Sequence, residues 1–179
     1  MSIEYLAKQG RDRVHGGLAS VDTAKLRTMR DAAMRACFLR FEEASNRLEF
    51  VARIHGKEFV NDAAARSVNA TWYALDNVEG NIIWIAFAGD NQTDYSMLRP
   101  LALRKVHTLI CVGADTAALH DTFADVVAEI VDADNIGQAV NMACYSNIEE
   151  AKVVFSPATR MGLSDETAGR MFRKEVNEL

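Results

Sequence analysis

The sequence predicts an α/β fold, with a mainly parallel sheet covered by helices on both faces and preceded by an N-terminal helical segment. Three observations lead there. Short continuous apolar runs at 82–87, 108–112 and 153–155 have the length and residue types of strands buried on both faces. Helix-length stretches separate these runs, which is the alternation that parallel strands with crossover helices require. Ahead of them, Leu48-Glu49-Phe50-Val51-Ala52-Arg53-Ile54 alternates with period two, and after His55-Gly56-Lys57 the chain continues with Glu58-Phe59-Val60, which reads as a β-hairpin.

Taken in order, the chain starts with a segment broken by Gly10, Gly16 and Gly17. Between 22 and 41 there is no Gly or Pro, and Leu26, Met29, Ala33, Cys37 and Phe41 recur at steps of three and four. This is an amphipathic helix with Asp22 or Thr23 as its N-cap. Residues 1–44 are therefore expected to be a helical segment, and 45–179 the α/β domain. After the hairpin, helices are predicted over 63–77, 95–104, 116–127, 136–145 and 165–178, with a further short strand at 129–131. Ligands of such sheets sit beyond the carboxyl ends of the strands, which singles out the loops at 61–64, 88–93, 113–115 and 156–161.

Composition narrows the function classes. A chain of 179 residues, 49% of them hydrophobic, can bury one sizeable core, and a net charge of −5 argues against general affinity for nucleic acid. The charge is uneven: residues 1–44 carry eight Lys/Arg against six Asp/Glu, and 45–179 twelve against nineteen. No run of eighteen apolar residues and no basic-then-apolar leader occurs, so a cytoplasmic protein without membrane insertion is expected. Cys37, Cys111 and Cys144 are odd in number and set among apolar neighbours, as reduced, buried thiols are. The four histidines lack an H-x-x-x-H or C-x-x-C companion, so spacing points to no metal site. No G-x-x-x-x-G-K-[ST] loop is present, and ATP hydrolysis by this chain unaided is not expected. Asp94, Asp115, Asp121, Asp132 and Asp134 read as caps and solvated turns.

Several stretches nevertheless carry a likeness: Asn46-Arg47-Leu48-Glu49-Phe50-Val51, Glu58-Phe59-Val60-Asn61-Asp62, Val68-Asn69-Ala70-Thr71-Trp72-Tyr73, Ile83-Trp84-Ile85, Asp94-Tyr95-Ser96, Ile110-Cys111-Val112-Gly113, Ser156-Pro157-Ala158 and Gly169-Arg170-Met171-Phe172. In this order they resemble the C-terminal, Rossmann-like domain of the Mur ligases, closest to the D-glutamate-adding type, over roughly 45–179. Residues 10–20 and the helix after them resemble the last helices of that family's central ATPase domain. The resemblance implies a domain that holds an incoming amino acid, in peptidoglycan precursor synthesis, while an ATPase domain uses ATP and magnesium to make an acyl phosphate.

The departures from the family pattern concentrate at its chemical positions. Its N-D-S-K-A-T-N signature reads Asn61-Asp62-Ala63-Ala64-Ala65-Arg66-Ser67 here, so only Asp62 keeps a functional character. Its G-G-x-D-K-G-x-D-Y loop reads Phe87-Ala88-Gly89-Asp90-Asn91-Gln92-Thr93-Asp94-Tyr95, retaining Asp90 but no lysine. After Ser156-Pro157-Ala158 the family's C-A-S-F-D-x-F is replaced by Thr159-Arg160-Met161-Gly162-Leu163, and its G-x-H-N reads Gly10-Arg11-Asp12-Arg13. No catalytic residue is assigned. The substrate-binding candidates are Asp62, Asp90, Arg66 and Arg160, with Arg170, Arg173 and Lys174 as further cations. No cofactor is expected on this chain alone.

Three functional readings follow: a ligase domain that cannot catalyse alone, a non-catalytic binding or scaffold module, and a rewired ligase that depends on a separate ATPase domain. The expected partner is an ATPase-domain-containing ligase, or a second copy through the stripe of Met29, Cys37, Phe38 and Phe41.

Overall fold

The structure, a computed structural model, describes residues 46–89 and 93–179. The helix expected over 22–41, with the rest of segment 1–44, lies outside the described residues, as does Asp90.

Six strands form one sheet: β1 (Glu49–Ile54), β2 (Lys57–Asn61), β3 (Ile82–Phe87), β4 (Val106–Val112), β5 (Glu129–Ala133) and β6 (Ala151–Phe155). Their order is β1-β2-β6-β3-β4-β5; β1 pairs antiparallel with β2 and every other pairing is parallel. The described helices are α1 (Val68–Asn77), α2 (Arg99–Lys105), α3 (Ala117–Phe123), α4 (Ile136–Cys144) and α5 (Asp165–Asn177). The predicted α/β class and mainly parallel sheet are what is observed.

The hairpin closes because His55 and Gly56 both take positive φ, 49° and 81°, as a two-residue turn matching the strand twist demands. Gly56 is required twice over, since a Cβ there would run into the Glu149 carbonyl oxygen.

Helix α1 starts at Val68, five residues later than predicted. The Ser67 side chain accepts from Ala70 N–H as N-cap, and the alanine-rich stretch before it is held in an irregular path by backbone bonds to distant segments. The helix predicted at 95–104 is divided into a 3₁₀ turn at Ser96–Leu98 and α2, which opens with Pro100 in its first turn. Helix α3 ends at Phe123, four residues before the predicted end.

Each face of the sheet has its own core. On one, Trp84, Leu98, Leu101, Leu109, Leu119 and Phe123 pack under α1–α3, with the Trp84 and Phe123 rings edge to face at 5.4 Å. On the other, Ile83, Ile85, Val140, Phe155 and Phe172 pack under α4 and α5, and Phe155 stacks on Phe172 at 4.9 Å. The continuous apolar run of β3 follows from this two-sided burial: Ile82 to Ala86 are all buried. Because β6 lies between β2 and β3, the strand order reverses there, and the loops after β2 and β6 diverge around a crevice.

Candidate functional site

Backbone bonds tie the loops at that crevice together. Asp62 N–H donates to Phe155 C=O at 2.8 Å, Ala158 N–H to Ala65 C=O at 3.1 Å, and Ala64 N–H to Asn46 C=O at 3.1 Å. Asn46, Leu48 and Ala158 hold positive φ values of 65°, 42° and 63° there. Non-glycine residues take such conformations at a cost, and they concentrate where a site is being shaped.

On this frame opens a cleft of about 500 Å³ lined by Arg47, Ala64, Arg66, Ser67, Ala70 and Arg160. Three arginines line it, and among the described residues no acidic side chain does. The first turn of α1 adds the positive end of a helix. The Arg66 Nε is buried without a hydrogen-bond partner. Planar, permanently charged donors around an open space suit a carboxylate or phosphate group.

Asp62 lies beneath the cleft rather than in it. Its carboxylate is wholly buried, receives the Ser156 hydroxyl at 2.9 Å and the Leu48 N–H at 3.4 Å, and has the Arg47 guanidinium 3.9 Å away. With Asp62 ionised, Ser156 gives its one proton to the carboxylate, so Thr71, 2.8 Å from Ser156 Oγ, donates to Ser156 in turn. Burial pushes the Asp62 carboxyl up to about 7, against the downward pull of Ser156, Arg47 and Leu48.

Of the residues proposed from sequence, Arg66 and Arg160 are brought together in one cleft. Asp62 is corrected from substrate contact to buried support, because the residue following β2 turns its side chain inward to Ser156. Asp90 lies outside the described residues. Arg47 is the lining cation that sequence reasoning missed; the β1–β2 pairing and the Ala64–Asn46 backbone bond bring position 47 to position 66, and no spacing announces that.

Arg173 is committed elsewhere, donating to Asn46 Oδ1 at 2.8 Å and Glu49 Oε2 at 2.7 Å, while Asn61 Nδ2 donates to the same two oxygens. Lys174 pairs with Glu178 at 3.3 Å, and Arg170 is exposed on α5. Asp94 accepts from Ser96 N–H at 2.9 Å in an Asx turn; the N-cap position expected for it is taken by Tyr95 instead. Cys111 and Cys144 are free, buried thiols as expected, and Cys37 lies outside the described residues. Burial pushes the Cys111 thiol up to about 12, helped by the Asp132 charge, which removes it as a nucleophile.

No family model matches the chain. It is 34% identical over 182 residues to UDP-N-acetylmuramoylalanine–D-glutamate ligase of Porphyromonas gingivalis, covering 100% of this chain and 40% of that protein. With the same ligase of Cytophaga hutchinsonii it shares 37% identity over 142 residues, 78% of this chain and 32% of that protein. The chain belongs to the Mur ligase family. A crystallised domain assigned to a UDP-N-acetylmuramate:L-alanyl-γ-D-glutamyl-meso-diaminopimelate ligase of Haemophilus ducreyi has the same fold: TM-score 0.50, 10% identity, 73% of this chain and 99% of that domain. The chain spans about two fifths of the length of the curated Mur ligase relatives that it matches throughout. In this Mur ligase domain, Ala64, where the family signature has its lysine, lines the arginine cleft, and Arg66 stands two residues further along the same wall. Among the described residues, no helix is long and apolar enough to cross a membrane.

Proposed function

We propose that this chain is the amino-acid-binding part of a D-glutamate-adding Mur ligase system in cytoplasmic peptidoglycan precursor synthesis, and that it does not form the amide bond by itself. The supporting observation is the cleft of Arg47, Arg66 and Arg160 at the sheet's switch point, on the loop that carries the family signature. D-glutamate presents two carboxylates, and convergent guanidinium groups are suited to hold them. Neither the sequence nor the described loops supply a phosphate cradle, so ATP and magnesium are left to an ATPase domain outside these residues, and no step through them is derived for this chain.

The test is calorimetric titration of the 179-residue chain with D-glutamate, beside thermal unfolding with D-glutamate, ATP–magnesium and both. A ligand at a hundred times its Kd adds about 2.7 kcal/mol, which raises Tm by about 5–10 °C at this size. Arg66→Ala and Arg160→Ala should each remove most of that shift. A shift with none of the ligands overturns substrate binding and leaves a scaffold module that keeps the ligase-domain fold.

A further inference from the structure

Across β3 from the arginine cleft, three side chains with metal-ligand chemistry meet under α3. Cys111 of β4 and Asp132 of β5 are direct partners in the parallel ladder, so their side chains leave the sheet on the same face. His120 reaches that point from α3, and its Nε2 is 2.9 Å from Asp132 Oδ1. One ligand atom from each of Cys111, His120 and Asp132 lies within 4.8 Å of the other two. Cys111 is buried, whereas the His120 and Asp132 side chains are 38% and 56% exposed, so the group has a protein side and a solvent side.

We propose that Cys111, His120 and Asp132 form a divalent transition-metal site of the zinc class, with its fourth position open to solvent. One sulfur, one imidazole nitrogen and one carboxylate oxygen make a donor set that Zn²⁺ accepts, at about 2.3, 2.0 and 2.1 Å. Tetrahedral angles at those lengths separate the donors by about 3.3–3.6 Å, inside the present spread, so rotation of the two solvent-side chains closes the site without moving the sheet. The thiolate selects against magnesium and calcium, which prefer all-oxygen shells. Binding transfers the thiol proton to solvent, and the two anionic donors neutralise the ion beside the apolar core. Since the donors come from β4, α3 and β5, the ion ties the edge strand and its crossover helix to the interior of the sheet. No sequence motif announces the site, because ladder register brings Cys111 to Asp132.

Titration of the metal-free chain with Co²⁺ reads the site directly. The expected result is a thiolate-to-cobalt charge-transfer band with intense tetrahedral d–d absorption, saturating at one equivalent and displaced by Zn²⁺. His120→Ala and Asp132→Asn, both on the solvent side, should each weaken Co²⁺ binding by about 100-fold or more while circular dichroism stays unchanged. Cys111→Ser should abolish the charge-transfer band, and if that variant fails to fold the other two decide. Absence of the band in the wild-type chain at stoichiometric Co²⁺, or affinity that survives both solvent-side substitutions, overturns the proposal and leaves a His–Asp hydrogen bond above a core thiol.

Discussion

Replacing Asp62 by asparagine should make the domain's stability less dependent on pH, and the size of the effect follows from the carboxyl's surroundings. Asp62 is 0% exposed, and burial raises its pKa from 3.8 to about 7 in the folded chain. A group whose folded pKa exceeds its unfolded pKa holds its proton more tightly when folded. Its contribution is therefore complete below the unfolded value and is lost as pH rises through the folded value. The full shift of about 3 units corresponds to about 4 kcal/mol, and the part lost between pH 6 and pH 8.5 is about one unit, or about 1.4 kcal/mol.

That window lies above the titration of ordinary carboxylates, and the histidines common to both proteins cancel in the comparison. The amide introduced by Asp62→Asn would accept from Leu48 N–H and donate to Ser156 Oγ, which would then donate to Thr71, so the substitution preserves the network while removing the titrating proton. Urea unfolding of both proteins at pH 6, 7, 7.75 and 8.5 gives the difference. The wild-type chain should lose about 1.4 kcal/mol relative to Asp62→Asn over this range, with most of the change between pH 6 and 7.75. A difference that is flat with pH, or that grows in favour of the wild type as pH rises, would refute the assignment of desolvation as the dominant influence on Asp62.

Two other substitutions test the frame. Gly56→Ala and Gly80→Ala both force alanine into left-handed backbone, φ 81° and 91°, costing about 1–2 kcal/mol each; only at Gly56 does the new Cβ also meet a backbone oxygen, that of Glu149, so Gly56→Ala should lower Tm distinctly more than Gly80→Ala. Lys57, 3% exposed, donates from Nζ to Cys144 C=O at 2.9 Å and Ser146 C=O at 3.1 Å, closing the carboxyl end of α4, and Lys57→Met should cost about 1.5–3 kcal/mol in chemical denaturation, whereas an unchanged midpoint would show those carbonyls satisfied by water.

Much of the sheet was legible in the sequence because a strand buried on both faces has few alternatives. The apolar run at 82–87 coincides with β3, and the hairpin announces itself by alternation and by Gly56. The missed boundary at α1 has a local cause. Ala63-Ala64-Ala65 has high helix propensity, but Asp62 N–H is taken by Phe155 and Ala64 N–H by Asn46, so long-range bonds override it. The site was legible only in part for a related reason. Arg66 and Arg160 stand out as new cations on loops at strand ends, while Arg47 joins them through β1–β2 pairing and Cys111 meets Asp132 through ladder register. Neither relation leaves a periodic trace in one dimension.

The same contrast explains why the family's apolar pattern is kept while its lysine is not. A core position such as Trp84 or Phe172 is defined by the volume around it, and truncating a side chain of that kind costs about 3–5 kcal/mol, so its place in the sequence cannot wander. Asp62 obeys the core rule although it is charged, since its loss would strand the Leu48 N–H and the Ser156–Thr71 hydroxyl pair in the interior. A cation at the cleft is subject to no such constraint. What an anion meets is the end of a long, flexible side chain, and Arg66 or Arg160 can deliver charge to the space beside Ala64 from a different point of attachment. On the proposed reading, substituting the lysine changes how the cleft is charged, whereas Asp62 supports the fold beneath the cleft.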